Sequence, residues 1–141
     1  MIRVRVKKRT GHIGPEMEAK GHQLVVSLAL YIEGQAKRYV PVRTGHLRRS
    51  ITHEIRGKGR ARVGTAVNYA RIQEVGGTIP PHEIRPKRKK ALSFDWPKGG
   101  GRVAFRRVKH PGGKIRGKFY MKRAMEDGIQ AIKPIARRIF K

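Results

Sequence analysis

The chain has 141 residues, no cysteine, and 35 Lys and Arg against nine Asp and Glu, a formal net charge of +26. One domain of this length can bury a core unaided, the absence of cysteine excludes disulfides, thiolate catalysis and cysteine-ligated zinc, and there is no apolar run of about eighteen residues to cross a membrane as a helix. The charge calls for an anionic partner or counterions, and nucleic acid, an acidic protein surface and anionic lipid are the available classes.

In chain order, "MIRVRVK" alternates Ile2, Val4 and Val6 with Arg3, Arg5 and Lys7, the period of a half-buried strand. The N-terminal stretch lacks the apolar segment of a signal peptide, which makes a cytoplasmic origin the expectation. Gly11, Gly14 and Pro15 break the alternation. From about 16 to 40 the period becomes helical, through Leu24, Leu28, Tyr31 or Ile32, Ala36 and Tyr39. Glu16 and Glu18 at its start and Lys37 and Arg38 at its end suit the helix dipole. Pro41 ends it, and Gly34 within it suggests a close helix contact. Thr44 is placed to cap a short turn through Arg49.

A hairpin is expected over about 50–65, with "GKGR" as its loop. "NYARIQEVGG" predicts a short helix ended by Gly76 and Gly77. "TIPPHEIRP" is extended. "KKALSFDW" and "GRVAFRRVKH" predict a second hairpin over about 88–109 around "PKGGG", and "HPGGKIRG" predicts a loop. A second amphipathic helix follows over about 118–140. Its expected stripe runs through Met121, Met125 or Ala124, Gly128 or Ile129, Ile132, Ile135 or Ala136, and Ile139, with Pro134 kinking or dividing it. The result is one α+β domain, residues 1–141, with a mostly antiparallel sheet packed against a long N-terminal helix and a C-terminal helix.

Catalytic patterns are absent from the spacing. His12, His22, His46, His53, His82 and His110 form no His-x-x-x-His pair, and no Gly-x-Ser-x-Gly elbow surrounds Ser27, Ser50 or Ser93. Glu74 with Asp95 and a histidine could be imagined as a nuclease site, and nothing in their spacing supports it. The chain is read as a non-enzyme without cofactor or metal. Basic candidates for contact with DNA or a partner are Arg43, Arg48, Arg49, Lys58, Arg60, Arg85, Lys87, Arg88, Lys98 and Arg102. Between Arg85 and Arg123 the only acid is Asp95. Neither "GKGRARVG" nor "KGGGR" matches a phosphate-binding loop. Aromatics are too few for a stacking platform, and Tyr39, Phe119 and Phe140 are expected to pack in the core, whereas Trp96 is a candidate for exposure. A free-standing basic nucleic-acid-binding protein is therefore one reading of the charge, without a base-reading device.

Three segments carry a resemblance. "VPVRTGHLRRSI" resembles the signature of a tail-completion, or neck, protein family of long-tailed bacteriophages, through Pro41, Thr44, Gly45 and Leu47. "RVGTAVNYARIQEVGGT" is similar to its second segment through Gly64, Thr65, Tyr69, Ala70, Glu74 and Gly77. "HPGGKIRGKFYMKRAM" is similar to its late element through Pro111, Gly112 and Phe119. Gly76 and Gly77 stand where one glycine is usual, and "RGKFY" replaces the common Arg/Lys-Pro-Phe. The resemblance implies a non-enzymatic virion protein. It would form a hexameric or dodecameric ring in the neck and join the tail tube or tail terminator to the connector and portal side. Double-stranded DNA would pass through the lumen, and no membrane would be involved. "RGKGRA", "GGTIPPHEIRP" and "PKGGGR" would then be docking loops. In that frame the opening motif is a structural corner, with Leu47 turned into the core.

Overall fold

The computed structural model describes residues 1–5, 14–95 and 100–141. Val6, Lys7, His12, Trp96, Lys98 and residues 97–99 of the expected "PKGGG" loop lie outside the described residues. The fold is α+β and divides into two compact units, residues 1–75 with 117–141 and residues 76–116. They are called here the body and the ribbon.

Alternation of apolar and charged residues makes the body's sheet. Strands β1 (Ile2–Arg5), β2 (Thr52–Ile55) and β3 (Arg60–Gly64) pair antiparallel in the order β1-β3-β2. Ile2 lies opposite Val63 and Ile55 opposite Ala61, so one face gathers the apolar side chains. Helix α1 (Pro15–Tyr39) opens on its proline, and its last carbonyls are closed by Val40, whose N–H donates to Ala36 O at 3.0 Å. The five-residue α2 (His46–Ser50) and six-residue α3 (Ala70–Val75) are short connectors, and α4 (Tyr120–Ile139) is the second long helix.

The core lies where α1 packs against α4 and against the sheet. Val25, Leu28, Ala29, Ile32 and Ala36 are the buried positions of α1, and Tyr120, Met121, Ala124, Gly128 and Ala131 those of α4. Where the expected stripes left alternatives, Ile32, Ala124 and Gly128 are the buried members and Tyr31, Met125 and Ile129 the exposed ones. Ile132, expected in the α4 stripe, is exposed, and Ala131 beside it is buried. Ala29 and Ala36 of α1 and Ala124, Gly128 and Ala131 of α4 are the small buried residues of the two helices, and Gly128 lets Ile32 approach closely. The close approach expected at Gly34 is instead at Gly128. Nothing lies within 4 Å of a Cβ built on Gly34, whereas one on Gly128 would stand 2.6 Å from Ile32 Cγ1. Pro134 sits inside α4 without dividing it. Phe119 and Phe140, expected in the core, are exposed, at 47% and 42%.

The ribbon is built from three nested antiparallel ladders. Strand β4 (Gly76–Ile79) pairs with β9 (Gly113–Arg116), β5 (His82–Ile84) with β8 (Val108–His110), and β6 (Leu92–Asp95) with β7 (Arg102–Phe105). "GKIR", expected as loop, is thus a strand, because β4 supplies its hydrogen-bond partners. "GRVAFRRVKH" is two strands that pair with different partners and are broken at Arg106 and Arg107. Among the described residues of the ribbon none is buried. Two strands offer each other a ladder but leave both faces open.

Candidate functional site

The corner after α1 shows how the first motif folds. Pro41 follows the extended Val40. Gly45 adopts φ +74°, a left-handed backbone that a side chain would strain, and its carbonyl accepts the Arg49 N–H at 2.9 Å. Gly45, not the expected Thr44, holds the N-cap position and gives no side-chain cap, and Thr44 Oγ1 reaches the His46 N–H at 3.5 Å. Leu47, 5% exposed, and the fully buried Ile51 anchor the corner in the core.

Hydrogen bonds then tie the first motif to the second. Ser50 Oγ donates to Leu47 O at 2.8 Å and lies 2.7 Å from Thr65 Oγ1, and His46 Nδ1 lies 3.1 Å from the Tyr69 hydroxyl. Thr65 Oγ1 also accepts the Val67 N–H at 3.2 Å, which shapes the turn before α3. Gly64 backs onto Met1, whose Cα would stand 3.5 Å from an added Cβ. Ala70 is buried at the start of α3.

Glu74 ties the second motif to the third. Its carboxylate accepts the N–H of Met121 at 2.9 Å and of Lys122 at 3.0 Å, while its own carbonyl accepts the Phe119 N–H at 2.9 Å. A negative group thus caps the N-terminus of α4 from another helix, satisfying donors that a helix cannot satisfy itself. Phe119 takes φ +51° to start the helix there. Both carboxylate oxygens of Glu74 are committed to this joint, and Asp95, its imagined nuclease partner, belongs to the ribbon opposite Arg102. Burial, and secondarily the Glu74 charge, push the Tyr120 hydroxyl's pKa upward.

The remaining motif residues lie at the root of the ribbon. Gly77 pairs with Ile115. His110 Nδ1 accepts the Gly112 N–H at 3.0 Å across Pro111, and Gly112 has φ +79°. A Cβ on Gly112 would stand 2.5 Å from Ile79 O and 2.9 Å from Pro81 N. Only glycine lets the two strands pass at this distance.

The basic candidates fall into two sets. Arg43, Arg48 and Arg49 belong to the body and line a shallow cleft of about 510 Å³ with Lys37. Arg49 Nη1 donates to Thr44 O at 3.3 Å. Lys58 lies 3.7 Å from Glu18, and Arg60 is exposed on β3. Lys37 itself pairs with Glu33, which also holds His53 Nδ1 at 2.5 Å. Burial raises the Glu33 pKa, but the hydrogen bonds from Lys37 and His53 outweigh it and hold the carboxyl below its ordinary value. Arg85, Lys87, Arg88 and Arg102 belong to the ribbon, where Arg102 Nε donates to Ser93 Oγ at 3.1 Å. The sequence reading missed His46 and Ser50 as links and passed over Lys37, Arg106 and Arg107 as members of basic clusters.

The chain matches a family model, HK97-gp10-like, described as "Bacteriophage HK97-gp10, putative tail-component", over residues 4–76. No curated protein and no solved structure matches it. The matched span holds the corner, its links to Thr65 and Tyr69, and Glu74, and it ends where the ribbon begins. It covers just over half of the chain, and the protein belongs to the HK97-gp10-like family of bacteriophage tail components.

Proposed function

We propose that this tail component is a ring-forming neck subunit, hexameric or dodecameric, that joins the tail to the head connector in the virion. Double-stranded DNA passes through its lumen, and the role requires no catalytic step and no cofactor. The observation that carries the reading is exposed apolar surface on α4. Met125, Ile129 and Ile132 are exposed along that helix, at 40%, 56% and 42%. Exposed apolar surface of this kind marks places where neighbours dock, and the body supplies the rigid core that a ring subunit needs. The order of the motifs along the chain supports the same role.

Mass photometry and cross-linking of the full chain, alone and with connector and tail-tube proteins, test the proposal. Discrete species of ring mass are expected. A strict monomer with every partner overturns it. The charge of +26 favours a second reading, a free-standing nucleic-acid binder. Under that reading DNA binding persists with steep salt dependence and no ring forms.

A further inference from the structure

We propose that the ribbon is a sequence-independent clamp for duplex DNA, and that its contact is the basic block formed by residues 85–90 with Arg106 and Arg107. The proposal deepens the DNA-facing part of the reading above and rests on it only for the source of the duplex.

Charge density points to the ribbon first. Residues 76–116 hold twelve Lys and Arg against two acids, Glu83 and Asp95, while the other 100 residues hold twenty-three against seven. Within the ribbon the charge is concentrated where the ladders are interrupted. Between β5 and β6 stand Arg85, Lys87, Arg88, Lys89 and Lys90, and Arg106 and Arg107 stand between β7 and β8 on the returning chain. Both sides of the ribbon therefore contribute to one block.

The block is partly fixed and mostly uncompensated. Glu83 spans it, with Arg85 Nη2 at 3.1 Å and Arg107 Nε at 3.6 Å from its two carboxylate oxygens. Those guanidinium groups remain about 70% exposed, at 71% and 69%. Among the described residues no carboxylate pairs with Lys87, Arg88, Lys89, Lys90 or Arg106, and all five are exposed. Apolar side chains are segregated on each ladder: Ile84 sits opposite Val108, Leu92 opposite Phe105 and Phe94 opposite Val103. Lys109 beside Glu83 and Arg102 beside Asp95 occupy the alternate positions.

These features favour a duplex over an acidic protein. Exposed lysines that no carboxylate pairs with among the described residues suit a partner whose charge repeats about every 1.7 Å along its axis whatever the register. A matched protein patch would be met by oriented, paired groups. The major groove also admits a two-stranded ribbon. Residues 76–116 contain no Asn or Gln to read adenine. Arg and Lys can meet guanine or phosphate, and we assign theirs to phosphates, which requires equal affinity for duplexes of unrelated sequence.

Fluorescence anisotropy with short duplexes of unrelated sequence, titrated with salt, tests the proposal on the full chain. Equal affinity across sequences and a steep salt slope are expected for wild type. Replacing Lys87, Arg88, Lys89 and Lys90 together by Ala should make the slope shallower by about 3 to 4 if each meets one phosphate. Lys87→Arg with Lys89→Arg and Lys90→Arg keeps the charge and should keep the slope. Arg43→Ala with Arg48→Ala and Arg49→Ala, in the body, should change it less than the ribbon variant does. An unchanged slope in the alanine ribbon variant, a larger loss in the body variant, or loss in the charge-conserving variant overturns the proposal. Tighter binding of an oligo-glutamate peptide than of the duplex assigns the block to an acidic protein and overturns it as well. Ring mass is measured separately on the same variants. A ring that assembles without binding DNA refutes the clamp alone, and a monomer that binds DNA through the block refutes the ring alone.

Discussion

The body and the ribbon solve the problem of a highly basic chain in opposite ways. The body places its charges around a buried core of small and aliphatic residues, with Tyr120, Ile51, Val25 and Val63 fully enclosed. The ribbon has backbone ladders but no buried side chain among its described residues, and it carries the denser charge. Buried apolar packing resides in the first, and the second is held by its backbone ladders. The difference also sorts the motifs. Those that maintain the core, from Pro41 to Glu74, fall in the body, whereas Gly77, Pro111 and Gly112 shape the crossing at the ribbon's root.

The largest effects should come from emptying the core. Tyr120→Ala should lower the stability of the whole chain by about 3–5 kcal/mol and Leu47→Ala by about 2–5 kcal/mol. Phe105→Ala, which removes an aromatic of comparable size from the ribbon, should change global unfolding by no more than about 0.5 kcal/mol. Chemical denaturation of the three variants measures this, and comparable losses would erase the distinction between the two regions.

Gly112→Ala should act next, and locally. Its positive φ and the 2.5 Å approach to Ile79 O leave no room for a methyl group. A local penalty of about 1–3 kcal/mol is expected, seen as faster amide exchange within 76–116 while the body's melting temperature holds. Glu74→Ala should then cost about 0.5–2 kcal/mol as a lost helix cap, and Glu74→Gln, which keeps one acceptor, should fall between it and wild type. A thermal melt that fails to separate the two would mean the cap is not what Glu74 contributes.

The smallest effect is one of pH. Because the folded protein holds Glu33 below its ordinary value of 4.5, its ionised form contributes stability at neutral pH. That contribution is lost as pH falls from about 4.5 through the lower folded value. The stability gap between wild type and Glu33→Gln should therefore narrow on acidification. A gap that is constant with pH contradicts the sign.

Much of the body was legible in the sequence because its signals are local. Pro15 and Pro41 bracket α1, and the alternation around Gly57 and Gly59 marks the hairpin. In α4 the expected stripe held Ala124 and Gly128 as alternatives, and both are buried; it missed at Ile132, which is exposed, because the neighbouring Ala131 that is buried carries a weaker hydrophobic signal. Strand β9 was invisible because Ile115 is its only apolar residue and its partner β4 lies far upstream. Glu74 was recognisable as a motif member, but its task depends on amides 47 and 48 residues away, which no local pattern encodes.

Native-state hydrogen exchange of the full chain tests the central claim most directly. Amides of β3 and the middle of α1 should exchange only through global unfolding, while those of 76–116 in the isolated protein should exchange through far cheaper openings. Ribbon amides as strongly protected as those of the body would contradict the division on which the account rests.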